Sequence, residues 1–170
     1  MAESSKIKNR NLGEQKVYPN AFIALLNNQH LWIAALACVS AQILKGLTEC
    51  LRTGKWNTSI FFSTGGMPSS HSALVVALAT SIGHVEGLHS PFFAIACIFA
   101  IIVMHDAAGV RRAAGKHAEI INTLVDSLER IRITPDRRLK ELLGHSPIEV
   151  MAGALWGISV ASLAHEFLSR

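Results

Sequence analysis

A chain of 170 residues suits one domain. Half of its residues are hydrophobic, only 16% are charged, and mean hydropathy is +0.33, which excludes a disordered chain and points to a membrane or a very apolar helical core. The formal net charge of +4 suits anionic partners such as phosphate or anionic lipid, whereas basic residues not interleaved with aromatics, and a single Tyr, argue against nucleic acid as a partner.

Residues 1–20 are polar and lack the apolar stretch of a signal peptide, so they are expected to form a flexible tail. Residues 21–170 are expected to form a single helical membrane domain. Four apolar segments of helix length follow in order: Leu31–Leu47, Ser72–Val85, Pro91–Met104 and Pro147–Leu168. The piece Ala21–Leu26 either extends the first or lies in the interface. Gly and Pro punctuate the joints. These features predict an all-α, membrane-embedded, multi-pass bundle of about four to five helices, in which a homo-oligomer is also compatible. The second and third segments are short against the ~20 residues that cross a bilayer. A soluble bundle with a very apolar core is therefore the alternative. The connection at about 106–146 is rich in Arg and Lys. Within it, Ala118–Arg132 carries apolar residues at helical spacing and reads as an amphipathic helix over the bundle. Cys38, Cys50 and Cys97 form no CxxC, and the histidines form no HExxH. Neither a metal nor a cofactor is expected.

The polar motifs converge. A short joint around Gly87–Ser90 makes an antiparallel hairpin of segments two and three. His71 and the stretch His105 to Arg112 then share one end of the bundle. Segment one ends near Lys45 and Arg52, and segment four begins after His145, at that same end. Most of the Lys and Arg lie there too, and the positive-inside rule would make that end cytoplasmic.

Four groups there could carry chemistry. In GGMPSSHSA, residues 65–73, the glycines permit a close backbone approach, and Pro68, Ser69 and Ser70 start a helix. A helix start offers unpaired N–H groups to an anion, and His71 stands where it could protonate a leaving oxygen. A plain N-cap with an incidental His explains the same residues. Lys45 and Arg52 are seven apart on one helix face, which fits either two ligands for one phosphate or snorkelling at a membrane boundary. Arg111 could clamp a phosphate with Asp106 orienting a basic neighbour, or the two could form an interfacial ion pair. His145 and Glu149 are four apart, so the carboxylate can fix the tautomer of an imidazole acting as base or nucleophile. A surface His before a Pro-started helix is the other reading. Gly153 and Gly157 form a GxxxG suited to close helix packing.

Lys45-x6-Arg52, PSSH at residues 68–71 and the HxxxE of His145 and Glu149 resemble the signatures of the type 2 phosphatidic acid phosphatase (PAP2) superfamily, which includes vanadium-dependent haloperoxidases and bacterial acid phosphatases. GGMPSSHSA, DAAGVRRAAGKHAEIIN and LKELLGHSPIEVMAGALWGI resemble its divergent branch, of the YuiD type, over about Leu31 to Ala164. The resemblance implies a metal-independent phosphohydrolase in a helical bundle. It gives His145 the role of nucleophile, Glu149 that of its orienting carboxylate, and His71 that of the acid. Lys45, Arg52, Ser69, Ser70 and Arg111 would surround the phosphate. The motifs depart from the superfamily's pattern: Ser70 replaces a glycine, Glu149 an aspartate, and Thr53 a proline. The usual arginine six residues before the nucleophile is Leu139, leaving Arg111, Arg112 and Arg138 as candidates. Two functions follow. One is a membrane phosphatase acting on a lipid phosphate or diphosphate. The other is a non-catalytic membrane protein that binds, moves or scaffolds phosphorylated lipid. A haloperoxidase is a third reading that the apolar chain disfavours.

Overall fold

Short polar residues start the helices. The computed structural model describes residues 20–54, 66–129 and 144–170. Six helices form among them: α1 (Ala21–Leu26), α2 (Gln29–Thr53), α3 (Ser70–Glu86), α4 (Pro91–Ala108), α5 (Val110–Glu129) and α6 (Pro147–Leu168). Asn20, Asn28, Ser69, Ser90 and Ser146 cap α1, α2, α3, α4 and α6, each side-chain oxygen accepting an otherwise orphaned N–H. Such a cap contributes about 1 kcal/mol. Pro91 and Pro147 sit in the first turns of α4 and α6, where a missing N–H costs no helical bond. Gly54 ends α2 in the left-handed region at φ 68°.

Helix α3 occupies the centre. It packs against α2, α4 and α6, while α2 also meets α6, and α5 meets α4. The packing is inside-out relative to a water-soluble bundle. The buried residues are mostly Ala, with Ile33, Val75 and Val150, and the largest fully buried side chains are Ser69, Ser72 and Ser81. The large apolar side chains face outward: Phe92, Ile95, Ile98, Ile101 and Ile102 on α4, and Leu155 and Leu163 on α6, are all exposed. Water would not tolerate that surface, whereas lipid does, and small residues let helices approach within a bilayer. Three helical stretches, Gln29–Thr53, Pro91–Ser127 and Pro147–Leu168, are long and apolar enough to cross a membrane. The protein is an integral, multi-pass membrane protein, and the soluble-bundle alternative falls.

Gly153 and Gly157 set the closest approach. A Cβ at Gly153 would overlap the Ser69 carbonyl oxygen, and one at Gly157 would lie 2.5 Å from the Ala73 carbonyl oxygen. The GxxxG seats α6 on the first turns of α3. Two expectations shift in detail. The segment Ser72–Val85, short for a span, extends to the 17 residues of α3, which serves as the enclosed central helix. The amphipathic helix begins at Val110 rather than Ala118. The expected tail at 1–19 and the basic residues Lys55, Arg130, Arg132, Arg137, Arg138 and Lys140 lie outside the described residues.

Candidate active site

The start of α6 builds the site. Ser146 and Glu149 form a capping box: the Glu149 N–H donates to Ser146 Oγ at 3.3 Å, and the Ser146 N–H donates to Glu149 Oε2 at 3.1 Å. This folds the carboxylate back over the helix start. The same Oε2 lies 3.0 Å from Nδ1 of His145. The expected imidazole–carboxylate contact therefore forms, and the four-residue spacing is bridged by the reach-back of the capping box. A main-chain bond also holds His145 from behind: its N–H donates to the Ala107 carbonyl at 2.9 Å. That carbonyl is in the last turn of α4, where the helix leaves it without an internal partner.

His145 is 3% exposed. Burial pushes its imidazole below the ordinary value of 6.5. The carboxylate of Glu149 and a hydrogen bond to the Gly66 backbone act in the opposite direction, and the Lys45 charge adds to the lowering. The net effect keeps the ring neutral, as a nucleophile requires.

Helix α3 brings the second imidazole. His71, its second residue, is exposed, with its ring centroid 6.2 Å from that of His145 at 62°. The two starts are locked together, since the Ser69 N–H donates to the Glu149 carbonyl at 3.0 Å. The turn before α3 carries a cis Met67–Pro68 peptide and Gly66 at φ 98°. Gly66 is required twice over. Its φ suits only glycine, and a Cβ there would meet Lys45 Cε at 2.8 Å.

The expected phosphate ligands divide. Lys45 is buried beneath Gly66 and within electrostatic reach of Glu149 and His145, so it joins the cluster. Ser69 is fully buried, and its Oγ accepts from the N–H and the hydroxyl of Ser72 at 3.4 and 3.1 Å. Ser69 serves as the cap of α3, and Ser70 is buried beside it. Arg52 does not join. Its guanidinium is 76% exposed and makes a two-pronged contact with Glu49, at 2.9 and 3.0 Å. Arg111 and Arg112 lie in the first turn of α5, but their side chains, like Arg138, fall outside the described residues.

Three contributors were not singled out from the sequence. Thr48 Oγ1 donates to the carbonyls of Lys45 and Met67, both at 2.9 Å, tying the turn to α2. Nothing local predicts that contact. Ser146 was legible as an S-x-x-E capping signature before an apolar run. Ala107 contributes only a carbonyl, which carries no sequence signal.

Fold and site together define an all-α, multi-pass membrane protein with an imidazole–carboxylate pair at one end of its bundle. The chain belongs to the divergent PAP2 family, whose profile matches residues 26–160. It is 44% identical over 145 residues to a Bacillus subtilis (strain 168) protein described as "Uncharacterized membrane protein YuiD", an alignment covering 79% of this chain and 92% of that one. No solved structure matches it significantly.

Proposed function

We propose that the protein is a metal-independent phosphohydrolase acting on a lipid phosphate or diphosphate, with His145 as nucleophile. The observation that carries this reading is the 3.0 Å contact of His145 Nδ1 with Glu149, with the His71 ring 6.2 Å away. With Nδ1 held by the carboxylate, Nε2 carries the lone pair. Nε2 attacks phosphorus, the N–P bond forms, and the P–O bond to the leaving alcohol or phosphate breaks. His71 protonates that departing oxygen. Water then attacks the phosphohistidine, giving its proton to His71 and releasing phosphate and the free imidazole. Lys45 supplies positive charge to the phosphoryl oxygens, alongside the N–H groups at the start of α3. An exposed His71 at the end of a membrane bundle suits a head group entering from the boundary while its chains stay in lipid.

Membership of the divergent PAP2 family supports a phosphatase-related role. The competing reading is a protein that binds or moves phosphorylated lipid without hydrolysing it. It draws on the engagement of Ser69 in the α3 cap and of Arg52 with Glu49. Phosphate release decides between them. Detergent-purified protein is given a panel of polyprenyl and glycerolipid phosphates with chelator present, beside His145→Ala. Release that depends on His145 is expected. A folded protein that releases none across the panel favours the binding reading.

A further inference from the structure

The opposite end of the bundle carries a second lipid-shaped feature. Helix α3 is 17 residues long, so its far end lies about 25 Å from the His145 end. That is close to the thickness of a bilayer's apolar core. There the start of α2, the end of α3 and the start of α4 enclose a cavity of about 230 Å³ whose polar lining is Asn28, His30 and Glu86. Leu31 and Leu78 line it too, and both also line a second cavity of about 400 Å³. That second cavity runs between α2 and α3 past Trp32, Ala35 and Leu74. The two adjoin at Leu31 and Leu78, a groove with a polar head at the helix ends beside an apolar trough between α2 and α3.

We infer that this groove holds a single membrane phospholipid with a primary-ammonium head group, in the leaflet opposite the His145 site. Charge decides the head group. Among the described residues, Glu86 is the one acidic side chain lining the groove, and no Lys or Arg lines either part. Among the described residues the only Lys or Arg at this end, Arg170, is paired with Glu166 at 2.8 Å. An anionic head would meet Glu86 without a compensating cation. A quaternary ammonium has no N–H to donate to Glu86 or Asn28, whereas a primary ammonium has three. His30 lines the polar part and contacts Ser81 Oγ through Nδ1 at 2.8 Å; with the Ser81 hydroxyl donating to Nδ1, the Nε2–H is left to donate to the head-group phosphate. The trough takes an acyl chain because its walls are apolar and Leu31 and Trp32 face the surrounding lipid. Trp at a helix end matches the aromatic belt of a membrane boundary. The inference does not depend on any phosphatase activity.

Native mass spectrometry of the full chain tests it. The protein is exchanged into detergent with equal amounts of phosphatidylethanolamine, phosphatidylcholine and phosphatidylglycerol, and the retained lipid is identified. Wild type should retain phosphatidylethanolamine over the other two by roughly tenfold, the size of one charge-assisted hydrogen bond. Glu86→Gln should abolish that preference, and Glu86→Lys should turn it toward phosphatidylglycerol. Ala35→Trp, which fills the trough from a half-buried position in its lining, should lower retention of all three. Equal retention by wild type overturns the inference, as does an unchanged preference in Glu86→Gln. Unaltered retention in Ala35→Trp overturns the seating of the chain.

Discussion

The main-chain carbonyl of Glu149 accepts a hydrogen bond from the Ser69 N–H at 3.0 Å, while its carboxylate holds His145. One residue thus joins the turn that presents His71 to the helix start that presents His145. Ser69 and Glu149 are 80 positions apart in the sequence and meet only through the fold, so the site depends on how α6 sits on α3.

Gly153→Ala tests that seating. The added Cβ would overlap the Ser69 carbonyl, which is main chain and cannot swing aside. We expect a loss of about 1–3 kcal/mol, read as a lower thermal midpoint in detergent. Phosphate release should fall with it, because the clash displaces the His71 turn. Ala152→Gly on the same helix turn is the control for a general helix effect. Unchanged stability in Gly153→Ala would mean that α6 does not rest on Ser69.

Glu149→Gln keeps the size of the side chain and removes its charge. The capping box loses its ionised partner, and stability should drop by no more than about 1 kcal/mol. Phosphate release should fall roughly 10²-fold, because the imidazole loses the carboxylate that fixes its tautomer. A rate within a few-fold of wild type, measured on the same lipid phosphate panel, would remove Glu149 from the mechanism.

Lys45 and Arg52 should separate. Lys45→Met removes the buried cation of the cluster and should weaken competitive inhibition by inorganic phosphate roughly tenfold or more, the size of a charge-assisted hydrogen bond. Arg52→Ala removes an exposed side chain engaged by Glu49 and should change that inhibition little. The reverse order would show that Arg52 turns into the site when phosphate binds.

The buried His145 should leave a pH signature. Burial holds its folded-state value below 6.5, so just under that pH the unfolded chain binds the extra proton. Stability from this group is complete above 6.5 and is lost as pH falls through that value toward the folded one. Thermal midpoints of wild type and His145→Asn, compared from about pH 5 to 8, should therefore converge or cross toward acid as wild type loses its margin. The acid limb of phosphate release should likewise fall below 6.5. A limb at or above 6.5 would place another group in control of the rate.

The sequence by itself determined what depends on neighbours along the chain. Apolar runs of helix length, the helix start at Ser69, Pro147 in the first turn of α6, and the four-residue step from His145 to Glu149 are local signals, and each appears as expected. The GxxxG at Gly153 likewise announced close packing. Tertiary structure decided the rest. It made α3 the enclosed centre, because its Ala, Ser and Gly side chains are small enough to admit three neighbours. It chose among the cations as well: Lys45 lies under Gly66, whereas Arg52 finds Glu49 one turn away and stays outside. It also supplied the Thr48–Met67, Ala107–His145 and Glu149–Ser69 bonds, which rest on carbonyl groups that every residue possesses. A main-chain carbonyl carries no residue identity, so only the packing of helices determines which one a distant donor will meet.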